Sequence, residues 1–514
     1  MHAIEFQPRL LFSYILINQT TYVDQPKTMR KFELLFISIP GVGHLVPIVE
    51  FSRRLTNHDR RLSATILVTT LNDAPILDAY IQSRTSTTSD IKFLRLPPLD
   101  PLSPDQYQTS SAYISIFIDK HKPHVKHAIT SLMMSTESDS VAVAGFFVDM
   151  FCTAMIDVAN ELGIPCYLYF PSPASYLGFT LHLPTLDTQL ATEFVDSETG
   201  LIVPRNPQTE LNVPSFVNPL PPLVLPTRVL RRKEDGYFWF LYHARRYIET
   251  KGIVVNTFRE LEPHAIGSVS ISGRGVPPVY PVGPVLDLDG PAQWHPYRDR
   301  QESIMRWLDD QPPSSVVFLC FGSKGSVDGA QVKEIALGLD RAGFRFLWSL
   351  RKPAKGETDL PGEYTNLEEV LPNGFLVRTE GIGLVCGWVP QVTILAHEAI
   401  GGFVSHCGWN STLESLWYGV PIATWPLHSE QQLNAFQLVK ELGLGVEIRL
   451  DYREGSDLVS AEELQRSIKQ LMDGDNELRR KFKEMKEKSR LAVMENGSSY
   501  QSLTTLIEEL TTHI

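Results

Sequence analysis

Cysteine is scarce in this chain and follows no pattern. There are five, Cys152, Cys166, Cys320, Cys386 and Cys407, none in CxxC spacing and most inside apolar runs. That argues against a disulfide framework or a thiolate metal site and for buried free thiols in a reducing compartment. Positive charge is also in short supply. A net charge of −12 leaves no basic stripe for a phosphate backbone, so no nucleic-acid partner is expected. No apolar run reaches the ~20 residues that a bilayer-spanning helix needs. The nearest is LLFSYILI at 10–17, with only Arg9 as a firm positive charge before it and no convincing small-residue cleavage site after it. Residues 1–28 are expected to be a disordered extension and the protein to be cytoplasmic. The sequons at Asn18, Asn410 and Asn496 then carry no sugar. Internal repeats and long low-complexity tracts are missing too.

What is present is a long alternation of apolar runs and amphipathic stretches over 514 residues, more than one ordinary core accommodates. Strand-like runs fall at 34–39, 64–68, 91–96, 141–148, 166–170 and 252–256. A second set falls at 316–321, 344–350, 383–386 and 402–405. This reads as α/β with parallel sheets flanked by helices. Between the sets, VPPVYPVGPVLDLDGPAQWHP (276–296) is rich in Pro and Gly and has no steady period. The expected division is a first domain over 29–280, a linker over 281–300 and a second domain over 301–514, whose final helices pack back on the first. Ser460 and Glu463 have capping-box spacing ahead of a helix with Leu464, Ile468, Leu471 and Met472 on one face. A last helix follows 496–499, with Leu503, Leu506, Ile507 and Leu510 as its stripe.

Two strand ends carry chemistry in the first domain. Pro40-Gly41-Val42-Gly43-His44 turns off the first strand and puts His44 at a helix start, where open α/β sheets bind ligands. Asp149 ends the 142–148 run and should point to the same edge, although an acid there can also cap the next helix. Together they suggest a His–Asp pair: the imidazole takes a proton from a hydroxyl, and the carboxylate fixes its tautomer. A dinucleotide turn is the competing reading, but Val46 stands at the third-glycine position. The second domain contributes Gly402-Phe403-Val404-Ser405, a strand-like run leading through His406-Cys407-Gly408-Trp409-Asn410-Ser411 into a helix over 412–418. Strand, Gly-containing turn and helix start make an anion site, because the first amides of the helix lack internal partners. Ser411 and Glu414 alone could be a simple capping box. Asp287-Leu288-Asp289 has the DxD form of a metal site, but its place in the linker reads as solvated loop charge. No metal ligand set is expected.

The whole of 388–431, from its opening WxPQ through HCGWNS to its closing EQ, resembles the signature box of plant secondary-product glycosyltransferases. These are the UDP-sugar-dependent enzymes of glycosyltransferase family 1. The resemblance runs from about Met29 to the end of the chain and implies the GT-B fold: two Rossmann-like domains facing across a cleft. It implies that Trp388 stacks on uracil while the backbone at Val389 bonds the base edge. Gln391 and Glu414 would hold the ribose, and His406, Asn410, Ser411 and Ser323 the diphosphate. Trp409, Glu430 and Gln431 would face the sugar. A closing Gln accompanies glucose in this family, which implies UDP-glucose as donor and no further cofactor. The family's base and its partner fall on His44 and Asp149. Ser172 lies where the family often has a sugar-facing Ser or Thr, but the flanking prolines depart from the common form. The implied reaction is metal-independent inverting transfer to a hydroxyl of a small apolar acceptor, a flavonoid or related phenolic first and a terpenoid second. The acceptor pocket is expected from 146–152, 176–190 and 220–229, and the protein is expected to be a monomer. The alternative is a binding protein that keeps the fold without turnover.

Overall fold

In the computed structural model, residues 31–71, 75–85, 90–135, 141–190, 210–271, 275–290, 300–354, 361–453, 458–473 and 477–512 are described. The expectation for residues 1–28 lies outside them. Short apolar runs build the first sheet: β1 (Lys31–Ile37), β2 (Leu62–Val68), β3 (Ile91–Arg95), β4 (Val141–Asp149), β5 (Cys166–Phe170), β6 (Gly252–Val255) and β7 (Val279–Pro281). They pair in parallel in the order β3-β2-β1-β4-β5-β6-β7. Along β1, Leu34 and Phe36 enter one core and Leu35 and Ile37 the other. Successive side chains on a strand face opposite ways, so both faces are covered and the runs are apolar throughout rather than alternating.

The second sheet contains β8 (Val316–Cys320), β9 (Arg345–Ser349), β10 (Gly383–Cys386), β11 (Ile400–Ser405), β12 (Ile422–Thr424) and β13 (Val446–Glu447). Its order is β10-β9-β8-β11-β12-β13, again parallel. Phe318 and Phe403 stack on one face, ring centres 5.1 Å apart, while Val317, Leu319 and Val404 fill the other. Behind that second face, the helix Ala461–Met472 starts on a formed capping box. Ser460 Oγ accepts from the Glu463 amide at 3.3 Å and Glu463 Oε2 from the Ser460 amide at 2.9 Å.

Two features of the linker differ from the sequence reading. Its start is β7, a three-residue edge strand that contains Pro281, and Pro is tolerated at a sheet edge. Asp287 is not solvated: its side chain is 9% exposed and accepts from Arg84 at 2.7 Å, with Asp289 completing the pair at 3.4 Å. The carboxylate therefore locks the linker to the first domain. The last helix, Ser498–Thr512, crosses back to the first sheet. Its Leu503, Leu506, Ile507 and Leu510 join the core of Phe147, Tyr167 and Tyr280. Gly145 of β4 makes room for it, since a Cβ there would lie 2.9 Å from Leu510.

Candidate active site in the interdomain cleft

In both sheets the strand order reverses beside the first strand of the domain. The reversal lies between β1 and β4 in one sheet and between β8 and β11 in the other. Loops leaving such neighbours diverge and open a crevice at their carboxyl ends. The β1 loop carries His44 and β4 ends at Asp149; the β8 loop carries Gly322 and Ser323, and β11 runs into His406.

Gly41 leaves β1 at φ 141°, a conformation that side chains disfavour, and the helix Val42–His58 starts there with no side chain capping it. This sets His44 in the first helical turn. Its Nδ1 lies 2.8 Å from Asp149 Oδ2. Asp149 is wholly buried while the His44 side chain stays 29% exposed, so the pair has a dry anchor and an open working end. Asp149 also caps its own turn, Oδ1 accepting the Phe151 amide at 3.1 Å. The pairing with His44 is present, whereas the alternative of a cap for the next helix is not, since that helix starts only at Met155 with no side-chain cap. Burial pulls the imidazole pKa down, but the charge and hydrogen bond of Asp149, with help from Glu430, outweigh it and hold it above the ordinary value. With Nδ1 engaged, Nε2 is the nitrogen left to take a proton.

The second half of the site is built around a buried histidine. His406 is pressed between two glycines: a Cβ at Gly322 would lie 2.5 Å from its Nε2, and one at Gly408 would lie 2.4 Å away. Burial pushes its pKa down to about 3, so the ring is neutral, and Nδ1 has no partner. Cys407 turns the chain at φ 62°, with its carbonyl held by Asn434 at 2.9 Å. The helix Trp409–Tyr418 then begins at Gly408, again without a side-chain cap. Ser411 therefore lies inside the first turn rather than at the cap. Gln391 donates to Ser411 Oγ at 2.8 Å and to Glu414 Oε2 at 2.7 Å. Burial raises Glu414 to about 7 against that hydrogen bond.

These halves enclose a cavity of about 140 Å³. Gly43, His44, Phe151, Ser172 and Arg228 line it from the first domain, and Trp409, Asn410, Ser429 and Glu430 from the second. Hydrogen bonds close the cleft around it: Trp409 Nε1 to the Asn256 carbonyl at 2.6 Å, Ser172 Oγ to Glu430 at 3.3 Å and Asn410 Nδ2 to the Gly43 carbonyl at 3.4 Å. Gln431 is buried and does not line this cavity. Its Oε1 accepts the Leu427 and His428 amides at 2.9 and 3.0 Å, and its Nε2 meets His428 Nδ1 at 3.1 Å. It thus braces the turn in which Ser429, at φ 61°, and Glu430 face the cavity. Trp388, half-buried after β10, donates its amide to Glu363 at 3.0 Å, and Val389 is buried beside it. Ser323 is exposed in the β8 turn. Among the described residues, no group of three or more His, Cys, Asp or Glu is placed to hold a metal ion, and no helix is long and apolar enough to cross a membrane.

Residues 278–482 match the family model described as UDP-glucoronosyl and UDP-glucosyl transferase. UDP-glycosyltransferase 43 of Pueraria montana var. lobata is 55% identical over 486 residues, covering 94% of this chain and all of that protein. The chain is a UDP-glycosyltransferase. UDP-glucose flavonoid 3-O-glucosyltransferase 6 of Fragaria ananassa is similar over 93% of the chain and 99% of its own length, at 50% identity. The crystal structure of Medicago truncatula UGT71G1 complexed with UDP-glucose superposes with a TM-score of 0.83 at 43% identity, covering 94% of this chain and 98% of that one. The two parallel sheets of this UDP-glycosyltransferase are thus those of the GT-B fold. Phe151 and Arg228 fall within the 146–152 and 220–229 stretches expected to form the acceptor pocket, though neither was singled out, and Ser429 escaped the sequence reading. Arg228 left a signal, a cation within the otherwise apolar 220–229 stretch.

Proposed function

We propose that this UDP-glycosyltransferase transfers glucose from UDP-glucose, with inversion, to a hydroxyl of a small, largely apolar acceptor, a flavonoid or related phenolic. The observation that carries this reading is the His44–Asp149 pair at 2.8 Å, facing a cavity whose other wall is the start of the Trp409–Tyr418 helix. His44 Nε2 takes the proton of the acceptor hydroxyl as its oxygen attacks the anomeric carbon. Asp149 stabilises the resulting imidazolium, help worth roughly 10²- to 10⁴-fold. The bond to UDP breaks on the opposite face, and negative charge grows on the departing diphosphate. Uncapped helix amides, Asn410, Ser411 and the neutral ring of His406 supply donors there without reorganising. His406 Nδ1, buried without a partner, suits a ligand oxygen.

Gln391 and Glu414, already joined, suit the ribose hydroxyls, with Trp388 and Val389 at the base and Ser323 near the phosphates. Trp409 and Glu430 flank the sugar, and Gln431 acts on it through the turn it braces. No divalent ion and no cofactor beyond the donor take part in this scheme. The phenolic acceptor is supported by the flavonoid-named relative and by the aromatic wall at Phe151. The five free thiols, four of them buried, fit an enzyme of a reducing, cytoplasmic compartment.

The test is acceptor-dependent UDP release in EDTA across flavonols, chalcones, simple phenols and triterpenes. The expected result is turnover on a phenolic with UDP-glucose preferred to UDP-galactose, and weakened preference in Gln431→His. A requirement for a divalent ion, or donor consumption indifferent to acceptor, would overturn the proposal.

A further inference from the structure

Arg228 lines the same cavity as His44 and Glu430, yet nothing in the scheme above uses it. Its guanidinium lies between two aromatic faces, 5.2 Å from the ring centre of Phe151 and 5.4 Å from that of Phe240. Its Nη1 is fully buried and has no hydrogen-bond acceptor, and among the described residues no carboxylate lies within ion-pair distance of it. The side chain as a whole is half-buried and faces the cavity, but its Nη1 edge has lost water without gaining an acceptor, which is costly unless a ligand supplies one.

Among the described residues none of the groups around it pairs with it directly. Asp149 is held by His44. His243, packed on Phe151, bonds Thr153 and Ser115 through its two ring nitrogens at 2.7 and 2.9 Å. Burial, with the charges of Arg228 and Arg246, pushes its pKa down to about 3. Burial raises the Tyr176 and Tyr247 hydroxyls well above their ordinary range, so both stay neutral. His428 is likewise neutral, pushed to about 4 by burial and by Lys324 and Arg228. Glu430 is the remaining carboxylate on the cavity wall, and it receives Ser172. The Phe151–Phe240 stack holds the flat guanidinium in place, and a flat fork of donors suits an oxyanion.

The geometry points to Arg228 as an anion site for the acceptor. The acceptor selected here carries, beside the hydroxyl that receives the sugar, an anionic oxygen, either a carboxylate or an ionised acidic phenol, that docks on Arg228 while the hydroxyl faces His44. This deepens the transferase reading and rests on it. An Arg in this place discriminates among acceptors by charge, where the aromatic walls discriminate only by shape.

The test uses full-length enzyme with UDP present and acceptors in matched pairs: 4-hydroxycinnamate with its methyl ester, and 3,7-dihydroxyflavone with its 7-methyl ether, each member keeping a hydroxyl that can receive the sugar. Binding is measured by calorimetry and turnover by UDP release, for wild type, Arg228→Met and Arg228→Lys. Wild type should bind the anionic member of at least one pair about 10- to 100-fold more tightly than its neutral partner. The pair that shows the effect separates carboxylate from phenolate. Arg228→Met should remove that preference while leaving the neutral partner and UDP affinity unchanged; Arg228→Lys should restore part of it. UDP affinity and melting temperature report whether the variants fold. Equal affinity for both members of each pair in wild type would overturn the inference. So would a loss in Arg228→Met that is shared equally by neutral acceptors or falls on UDP. Charge-selective binding without turnover would instead leave the anion site standing and count against the transferase reading.

Discussion

His44 is set by what Asp149 does to it. The carboxylate holds the imidazole above its ordinary pKa, so the neutral base appears only as pH rises through that raised value. In wild type, kcat/KM should therefore rise with pH through an apparent pKa above the ordinary ~6.5 of histidine. Asp149→Asn removes the charge that raises the pKa. Its pH profile should shift to lower pH while the plateau rate falls roughly 10²-fold or more. An unshifted profile would mean that a different group titrates. Both residues were legible in the sequence because Asp149 ends an apolar strand run and His44 opens the helix that follows one, and both positions meet at the carboxyl edge of a parallel sheet. The ion pair of Asp287 was not legible, nor was the aromatic setting of Arg228, although its 220–229 stretch was expected to line the acceptor pocket. Arg84 lies far away in the chain from Asp287, and only the folded linker brings them to 2.7 Å. The aromatic faces that make Arg228 an unusual cation come from two separate elements.

In the proposed scheme the turns that leave β8 and β11 bind the nucleotide, and two glycines shape them. His406 has no room to move while Gly322 and Gly408 flank it. Gly408 sits at φ −60°, an ordinary backbone, so Gly408→Ala tests the contact without backbone strain. A Cβ 2.4 Å from Nε2 forces the ring aside. UDP affinity measured by calorimetry should fall at least about tenfold, or ~1.4 kcal/mol, with little change in melting temperature. Unchanged affinity would remove His406 from the diphosphate site. At this scale the sequence served well for strands with clear apolar ends: the 166–170 run coincides with the interior strand β5 and the 383–386 run with the edge strand β10. It failed at the last strand of the first sheet. β7 is three residues with a proline, too short and too proline-rich to stand out from a linker. The simple capping-box alternative for Ser411 and Glu414 does not hold, because the helix starts one turn earlier at Gly408 and the Ser411 hydroxyl accepts from Gln391 instead.

Across the whole molecule, hydrogen bonds and a returning helix tie the two sheets together around the cleft. Glu262 accepts the Ala174 and Ser175 amides at 2.8 and 2.9 Å and also Gln437 of the second domain at 2.6 Å. The Ser498–Thr512 helix ties the chain's second half to the first sheet through a row of buried leucines. Leu506→Ala should cost about 2–5 kcal/mol of stability by denaturant titration. It should lower activity only as far as folded protein is lost; a stability change within ~0.5 kcal/mol would show that the tether is not structural. The central claim is that a histidine on one domain drives transfer from a nucleotide held by the other. The most direct measurement compares UDP affinity and glucosyl transfer in wild type and His44→Ala. The account predicts unchanged UDP affinity with transfer reduced at least about 100-fold. Transfer that survives in His44→Ala at near wild-type rate would contradict it.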